Sequence, residues 1–300
     1  MKQFHDRVAV ITGGASGFGK EFARTGAALG MKLVLADVQQ DALDQTIEEL
    51  RGHGAQVIGM RVDVSQADQV QALAGAATEA FGDIHLLFNN AGVGAGGLVW
   101  ENSPKDWEWV LGVNLHGVVH GVRIFTPLML AAAERDPGYE GHIVNTASMA
   151  GLLNAPAMGI YNVSKHAVVA LTESLYQDLS LVTGQVHCSL LCPYFVPTGI
   201  HRSDRNRPDS LANDAPPTRS QLVAQALSDK AVTSGKVSAA DVARMTFDAI
   251  RDERFYIYSH PHALASVQQR FEDIVGQRNP GDPFAGKPEL RQQLVQAMRG

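Results

Sequence analysis

Short runs rich in Val, Ile and Leu recur along this chain, separated by longer stretches with helical spacing, and that alternation constrains the fold more than any other feature. The runs are RVAVIT, KLVLAD, AQVIGMRVD, IHLLFNNAG, HIVNTAS, QVHCSLLCP and RFYIYS, and helix patterns cover residues 18–29, 40–51, 66–81, 104–133 and 160–182. Strands that are apolar on both faces fit a sheet covered on both sides, and helices between them supply the crossovers a parallel sheet needs. The expected class is α/β: one doubly wound domain with a seven-stranded, mostly parallel sheet and helices on both faces.

A chain of 300 residues is long enough for one large α/β unit. Its 45% hydrophobic and 19% charged residues are ordinary for a globular protein. With 25 basic against 31 acidic side chains, the net charge of -6 leaves no electrostatic footprint for nucleic acid or an anionic membrane. A small-molecule partner is expected instead. No signal-peptide pattern precedes the first strand, and no membrane span is expected, so the predicted location is cytoplasmic. Cys188 and Cys192 lie on one strand pattern, roughly 13 Å apart at the rise of an extended chain, and read as buried free thiols. The pattern loosens between Tyr194 and about Lys236, where HRSDRNRPDSLANDAPPTRS follows a strand end. Open α/β sheets bind ligands at such ends, which predicts a substrate lid over about 194–236 within a domain of residues 1–260. Residues 261–300 read as an extension packed on the same domain or on a neighbouring subunit, with a short final helix.

The first strand runs into TGGASGFG, Thr12 to Gly19, inside which a helix pattern begins. Glycines at a strand-to-helix turn let the backbone approach a pyrophosphate, and the helix N-terminus offers free N–H groups and partial positive charge. The second strand ends at Asp37, eighteen positions past Gly19. A carboxylate there accepts from the adenosine ribose and repels a 2′-phosphate. Neither Val38 nor Ser16 supplies a cation, which favours NAD over NADP.

A phenol and an ammonium, Tyr161 and Lys165, stand at i and i+4 at the head of a long helix pattern, on one face. With the glycine loop, they make the chain resemble the classical short-chain dehydrogenase/reductase family over residues 7–259. The family's T-G-x-x-x-G-x-G is matched by Thr12, Gly13, Gly17 and Gly19, its N-N-A-G by Asn89 to Gly92, and its Y-x-x-x-K by Tyr161 to Lys165. Its active-site Ser falls on Ser148, thirteen positions before the Tyr, and its helical Asn on Asn114 in LGVNLHG. The resemblance implies a Rossmann-like fold, a homo-tetramer or homo-dimer, and cofactor contacts from Gly13, Ser16, Gly17, Phe18, Gly19, Asp37, Asp63, Val64, Asn90, Tyr161, Lys165, Val196 and Thr198. Where the family usually has Gly after Pro193, this chain has Tyr194.

The implied chemistry is hydride exchange between a secondary alcohol and a ketone. Oxidation needs a base for the hydroxyl proton, and a free phenol near pKa 10 is too weak an acid for the task at neutral pH. An ammonium one turn away stabilises the phenolate, so Lys165 is expected to lower the Tyr161 pKa. Ser148 orients the substrate oxygen, Lys165 also binds the nicotinamide ribose, and Asn114 supports a proton relay. Expected pocket walls are Gly94, Trp100, Ser148, Leu153, Tyr161, Tyr194 and Phe195, largely apolar and aromatic, which suits an apolar or aromatic substrate. The lid arginines Arg202, Arg205 and Arg207 leave room for a charged one, and the YIYSHPHA turn and the tail resemble a bacterial subgroup that includes aryl-alcohol dehydrogenases. An NAD-dependent epimerase or dehydratase would share Tyr and Lys but usually spaces its glycines T-G-x-x-G-x-x-G, and a non-catalytic NAD-binding regulator would tend to lose part of the catalytic set. His116 and His120 have zinc-compatible spacing without a third ligand, so no metal is expected.

Overall fold

A computed structural model describes residues 1–299. Each apolar run contains a strand: β1 (Val8–Thr12), β2 (Lys32–Asp37), β3 (Val57–Arg61), β4 (Leu86–Asn89), β5 (Gly141–Thr146), β6 (Val186–Cys192) and β7 (Tyr256–Tyr258). They form one sheet in the order β3-β2-β1-β4-β5-β6-β7 with every pairing parallel, so the edge strand β7 conforms as well. Strand order reverses between β1 and β4, and the crevice beyond their carboxyl ends is where such a sheet accepts ligands.

Helices α1 (Gly17–Ala28), α2 (Gln40–Gly52), α3 (Ala67–Phe81), α4 (Pro104–Leu111), α5 (Gly117–Arg135), α6 (Gly159–Val182), α7 (Arg219–Thr233), α8 (Ala239–Arg251), α9 (Leu264–Val275) and α10 (Pro288–Arg299) surround it. On one face α1 and α8 cover β1 and β4, with Phe22 stacked on Phe88 at 4.4 Å and Phe247 tilted against it at 5.7 Å. On the other, Leu73 of α3 and Phe125 and Met129 of α5 pack with Val10, Val34 and Leu87. Burying each such side chain contributes about 1.5–3 kcal/mol. Cys188 and Cys192 are free and buried in β6.

One helix, Pro104–Arg135, is long and apolar enough by length and composition to cross a membrane, with a mean hydropathy of 1.3 over its most apolar window. Its apolarity has a local explanation, because Val118, Ile124, Phe125 and Met129 are buried against the sheet.

Three helices, α7, α8 and α9, lie outside the helix patterns named from the sequence. The lid contains α7, whose sequence hides it because it buries only Ser220, Ala224 and Val232. Caps hold it instead: Thr218 accepts from the Gln221 N–H while the Gln221 side chain accepts from the Thr218 N–H. In the extension, α9 inserts Val267 into the cluster containing Val168, Leu190 and Cys192. The final helix, α10, packs on α7, where the Arg219 side chain donates to the Ala297 carbonyl. Within the chain, the extension therefore packs against α7 and against the cluster beside β6.

Candidate active site

A cavity of about 1000 Å³ opens at the β1/β4 switch point and runs from Asp37 to Tyr161. Its floor at one end is the glycine loop. Gly17 has φ +51°, and a Cβ added there would reach across the cleft to 3.4 Å from Thr198 Cβ. A Cβ on Gly19 would collide with the Gly13 carbonyl, so the loop could not close over a bulkier residue. Ser16, the N-cap of α1, makes no side-chain cap, which leaves first-turn amides for an anion. A dinucleotide diphosphate fits this cradle.

Asp37 closes the far end of the cavity. Its carboxylate accepts from the Ala15 N–H at 3.0 Å and the Gln39 N–H at 3.0 Å, and so is held in place with lone pairs left for ribose hydroxyls. Asp63 is turned inward by Ser65, whose N–H and hydroxyl donate to it at 3.0 and 2.7 Å. Asn90 donates from its side chain to the Thr12 carbonyl at 2.9 Å, which ties the end of β4 to β1. Gly13, Ser16, Gly17, Phe18, Asp37, Asp63, Val64, Asn90 and Thr198 all line the cavity. Gly19 and Val196 stand behind its wall, Val196 with 3% exposure. Arg61 was missed by sequence reasoning. It lies opposite Asp37 in the β2–β3 register, and its guanidinium donates to the Val38 carbonyl at 3.1 Å. Only sheet pairing brings it there, so neighbouring residues in the chain carried no signal of it.

At the other end, α6 presents Tyr161 and Lys165, and the β5–α6 segment presents Ser148. The Ser148 hydroxyl stands beside the Tyr161 phenol and lowers its pKa. Ser148 Oγ is positioned by the Ala150 N–H at 3.1 Å and donates to the Pro193 carbonyl at 3.3 Å. Lys165 Nζ donates to the Thr146 carbonyl at 2.9 Å and lies 5.7 Å from the Tyr161 ring centre. The expectation that Lys165 depresses the Tyr161 pKa is not met among the protein's own groups. Burial pushes the phenol up to about 12, with only the Ser148 hydrogen bond pulling it down. Burial likewise pushes Lys165 down to about 8. Loss of water penalises both charged forms.

Asn114 sits, fully buried, in a π-helical stretch, Gly112–His116, joining α4 to α5. Such a local widening commonly marks a functional site. Its amide accepts from the Val93 N–H at 2.8 Å and donates to the Val93 carbonyl at 2.9 Å and Ser164 Oγ at 3.1 Å. It thus clamps the β4 loop to α6. A Cβ added at Gly92 would lie 3.5 Å from Asn114 Oδ1 and 3.6 Å from Lys165 Nζ, so both groups converge over Gly92.

The expected pocket walls need correction. Ser148, Tyr161 and Tyr194 line the cavity, whereas Gly94, Trp100, Leu153 and Phe195 do not. Gly94 is covered by the lid, its N–H donating to Ser203 Oγ at 2.8 Å. Trp100 is 76% exposed on a turn, Leu153 packs beside the Leu152 cluster, and the Phe195 ring leans on Tyr194 at 4.5 Å. Their places are taken by Trp107 and Trp109 from α4 and by Ile200 and Leu211 from the lid. Both tryptophans lie on α4, and only the fold brings that helix to the cavity. His116 also lines the cavity, with His120 at 6.3 Å between ring centres; among the described residues they join no cluster of three metal-binding side chains.

The lid is fastened by two carboxylates on the β4–α4 side. Glu101 accepts from the hydroxyls of Ser220 at 2.6 Å and Thr218 at 2.7 Å. Asp106 accepts from Arg207 at 2.7 Å, Asn213 at 2.9 Å and Gln221 at 3.3 Å. These hydrogen bonds and the Arg207 charge hold its carboxyl below the usual range although burial opposes them. Arg207 also lies 5.1 Å over the Trp109 ring. Its charge is therefore already matched, which leaves the substrate end largely apolar and aromatic.

A family model described as short chain dehydrogenase matches residues 7–209. A CLA biosynthesis dehydrogenase/reductase of Lactiplantibacillus plantarum is 34% identical over 92% of this chain and 95% of its own. A C alpha-dehydrogenase of a Sphingobium species is 30% identical over 99% of this chain and 94% of its own. A crystal structure of a short chain dehydrogenase/reductase from Burkholderia phymatum, in complex with NAD, superposes with a TM-score of 0.92 at 61% identity, covering 94% of this chain and 99% of that one.

Proposed function

The chain belongs to the short-chain dehydrogenase/reductase family, and from that premise we propose that it is an NAD-dependent oxidoreductase interconverting a secondary alcohol and a ketone. The observation that carries this reading is the continuity of one cavity from the Asp37 carboxylate past the glycine loop to Tyr161, Ser148 and Lys165. The α1 amides and Asp37 would hold the diphosphate and adenosine ribose, and Lys165 the nicotinamide ribose. The 61% identical relative, solved with NAD, supports the same cofactor here. Bound there, the oxidised nicotinamide ring supplies the hydride acceptor and a positive charge.

Tyr161 takes the hydroxyl proton at its phenolic oxygen, Ser148 holds the substrate oxygen beside it, and Lys165 provides the cation that the phenolate needs. Asn114 supports the path by which that proton leaves past Lys165. The Trp107, Trp109, Ile200 and Leu211 walls favour a largely apolar or aromatic substrate. Because Arg207 is paired with Asp106, a substrate carboxylate would find no free partner there.

Thermal-shift titration tests the cofactor. NAD is expected to stabilise the protein at lower concentration than NADP, because Asp37 repels a 2′-phosphate. Equal or stronger stabilisation by NADP would bring Arg61 forward as a phosphate partner and defeat the Asp37 argument.

The pH profile tests the acid–base group. The rate of alcohol oxidation, as kcat/KM, is expected to rise with pH as the Tyr161–Lys165 pair loses a proton, with an apparent pKa belonging to the pair. The Ser148 hydrogen bond lowers the phenol pKa, so Ser148→Ala moves this limb upward besides lowering kcat. A limb that stays in place in Ser148→Ala removes Ser148 from contact with the base.

We also propose a homo-dimer or homo-tetramer. It is supported by exposed apolar side chains on α6, namely Val163, Tyr176, Leu181 and Val182, and on α9, namely Phe271, Ile274 and Val275. Light scattering on the eluting protein is expected to give a multiple of 32.2 kDa; a monomer at micromolar concentration contradicts it.

A further inference from the structure

We propose that Arg205 is a lid cation that grips the diphosphate of the bound dinucleotide from the side opposite the glycine loop, a contact that rests on the NAD reading above. Four side chains with strongly basic groups line the cavity: Arg61, Lys165, Arg205 and Arg207. Lys165 is engaged at the Tyr161 end by the Thr146 carbonyl, Arg207 is paired with Asp106, and Arg61 is turned onto the Val38 carbonyl. Arg205, like Arg61, has no anionic partner among the described residues, and it alone of the four donates to neutral acceptors on both sides of the cleft mouth. Its Nη1 reaches the carbonyls of Gly199 at 2.8 Å and Arg202 at 2.6 Å, and its Nε reaches Gln39 Oε1 at 3.4 Å.

That bridge joins the lid to the β2–α2 loop, two residues beyond Asp37. The lid approaches the glycine loop through Thr198, next in the chain to the Gly199 that Arg205 holds, and Thr198 is the group a Cβ on Gly17 would meet. The guanidinium therefore sits at the cleft mouth between the Asp37–Gln39 loop and the Thr198–Gly199 segment that faces Gly17, and α1 behind Gly17 begins without a side-chain cap. One wall offers amide donors and the facing one offers a planar cation. A guanidinium binds phosphate oxygens in a two-pronged, charge-assisted manner that is stronger than its present bonds to neutral oxygens. Exchanging the Gln39 side chain for a diphosphate oxygen would let the same residue close the lid on the cofactor.

Calorimetric titration of the full chain with NAD, ADP and adenosine separates this contact from general lid packing. Arg205→Gln is expected to weaken both NAD and ADP about tenfold to a hundredfold, and to leave adenosine, which has no phosphate, unchanged. Arg205→Lys should recover part of the loss, because it keeps the charge without the fork. The wild-type affinity for ADP should also fall more steeply with salt than that of Arg205→Gln. Unchanged ADP affinity in Arg205→Gln, or equal losses for ADP and adenosine, overturns the contact while leaving the NAD reading intact. Wild-type protein that binds neither NAD nor ADP overturns both.

Discussion

Tyr161→Phe is expected to lower the turnover of alcohol oxidation by about 10²–10⁴-fold, the range a positioned general base supplies, while NAD affinity is unchanged. The phenolic oxygen is the one atom removed, and its neighbour Ser148 keeps the Ala150 N–H and the Pro193 carbonyl. The ring remains to pack beside Lys165. Nothing in the glycine loop or at Asp37 touches that oxygen, so the adenosine half of the cofactor site is untouched. Burial pushes the phenol up to about 12, so its phenolate needs the positive charge that Lys165 and a bound oxidised nicotinamide would bring. Steady-state kinetics beside calorimetric NAD binding reads both quantities. Equal losses in binding and turnover would make Tyr161 a structural residue and remove the proposed base.

The second large effect is on the lid. Asp106→Ala leaves Arg207 with a charge in a site where the two side chains are only 4% and 15% exposed. Breaking such a pair from one side costs about 3–5 kcal/mol, because the remaining ion has lost its compensation. Asp106 also caps α4, its carboxylate accepting from the Ser103 N–H at 2.8 Å, and receives Gln221 from α7. Urea denaturation is expected to show the loss, and hydrogen exchange should locate it in residues 200–221 and at the start of α4. The substrate KM should rise with little change in NAD affinity, since Asp37 and α1 are remote from Asp106. Adding Arg207→Met should restore much of the stability by removing the stranded charge and keeping contact with Trp109. A double variant no better than the single one would show that the cap and the Gln221 bond, rather than the ion pair, hold the lid.

What could be read from residues alone divides along physical lines. The strands announced themselves because both their faces are buried, as in Val8–Thr12, where every residue is inside. The positions of the glycine loop, Asp37, Tyr161 and Lys165 were legible from spacing along one strand, turn or helix, and Ser148 only from the family resemblance. Residues that enter by tertiary approach were not. Arg61 reaches the cofactor end through sheet pairing, and Trp109 and Leu211 meet through the lid. Helix α7 has almost no apolar face to betray it, being held by its Thr218 cap, the Glu101 carboxylate and α10. The i, i+4 spacing shows that Lys165 stands near Tyr161, but not the depth of burial that pushes the phenol up to about 12. Asn114 was found by position, but its clamp on Val93 needed the π-helical turn to be seen.

The central claim concerns the path of one hydrogen, and an isotope follows it directly. Secondary aryl alcohols carrying deuterium at the carbinol carbon are incubated with NAD and the protein, and both the ketone and the reduced cofactor are analysed by mass spectrometry and proton NMR. Ketone formation is expected with the deuterium delivered to the nicotinamide ring, one for each ketone formed, in the wild type and not in Tyr161→Phe. Tight NAD binding with no ketone from any secondary alcohol, or ketone whose deuterium appears in water, would contradict it.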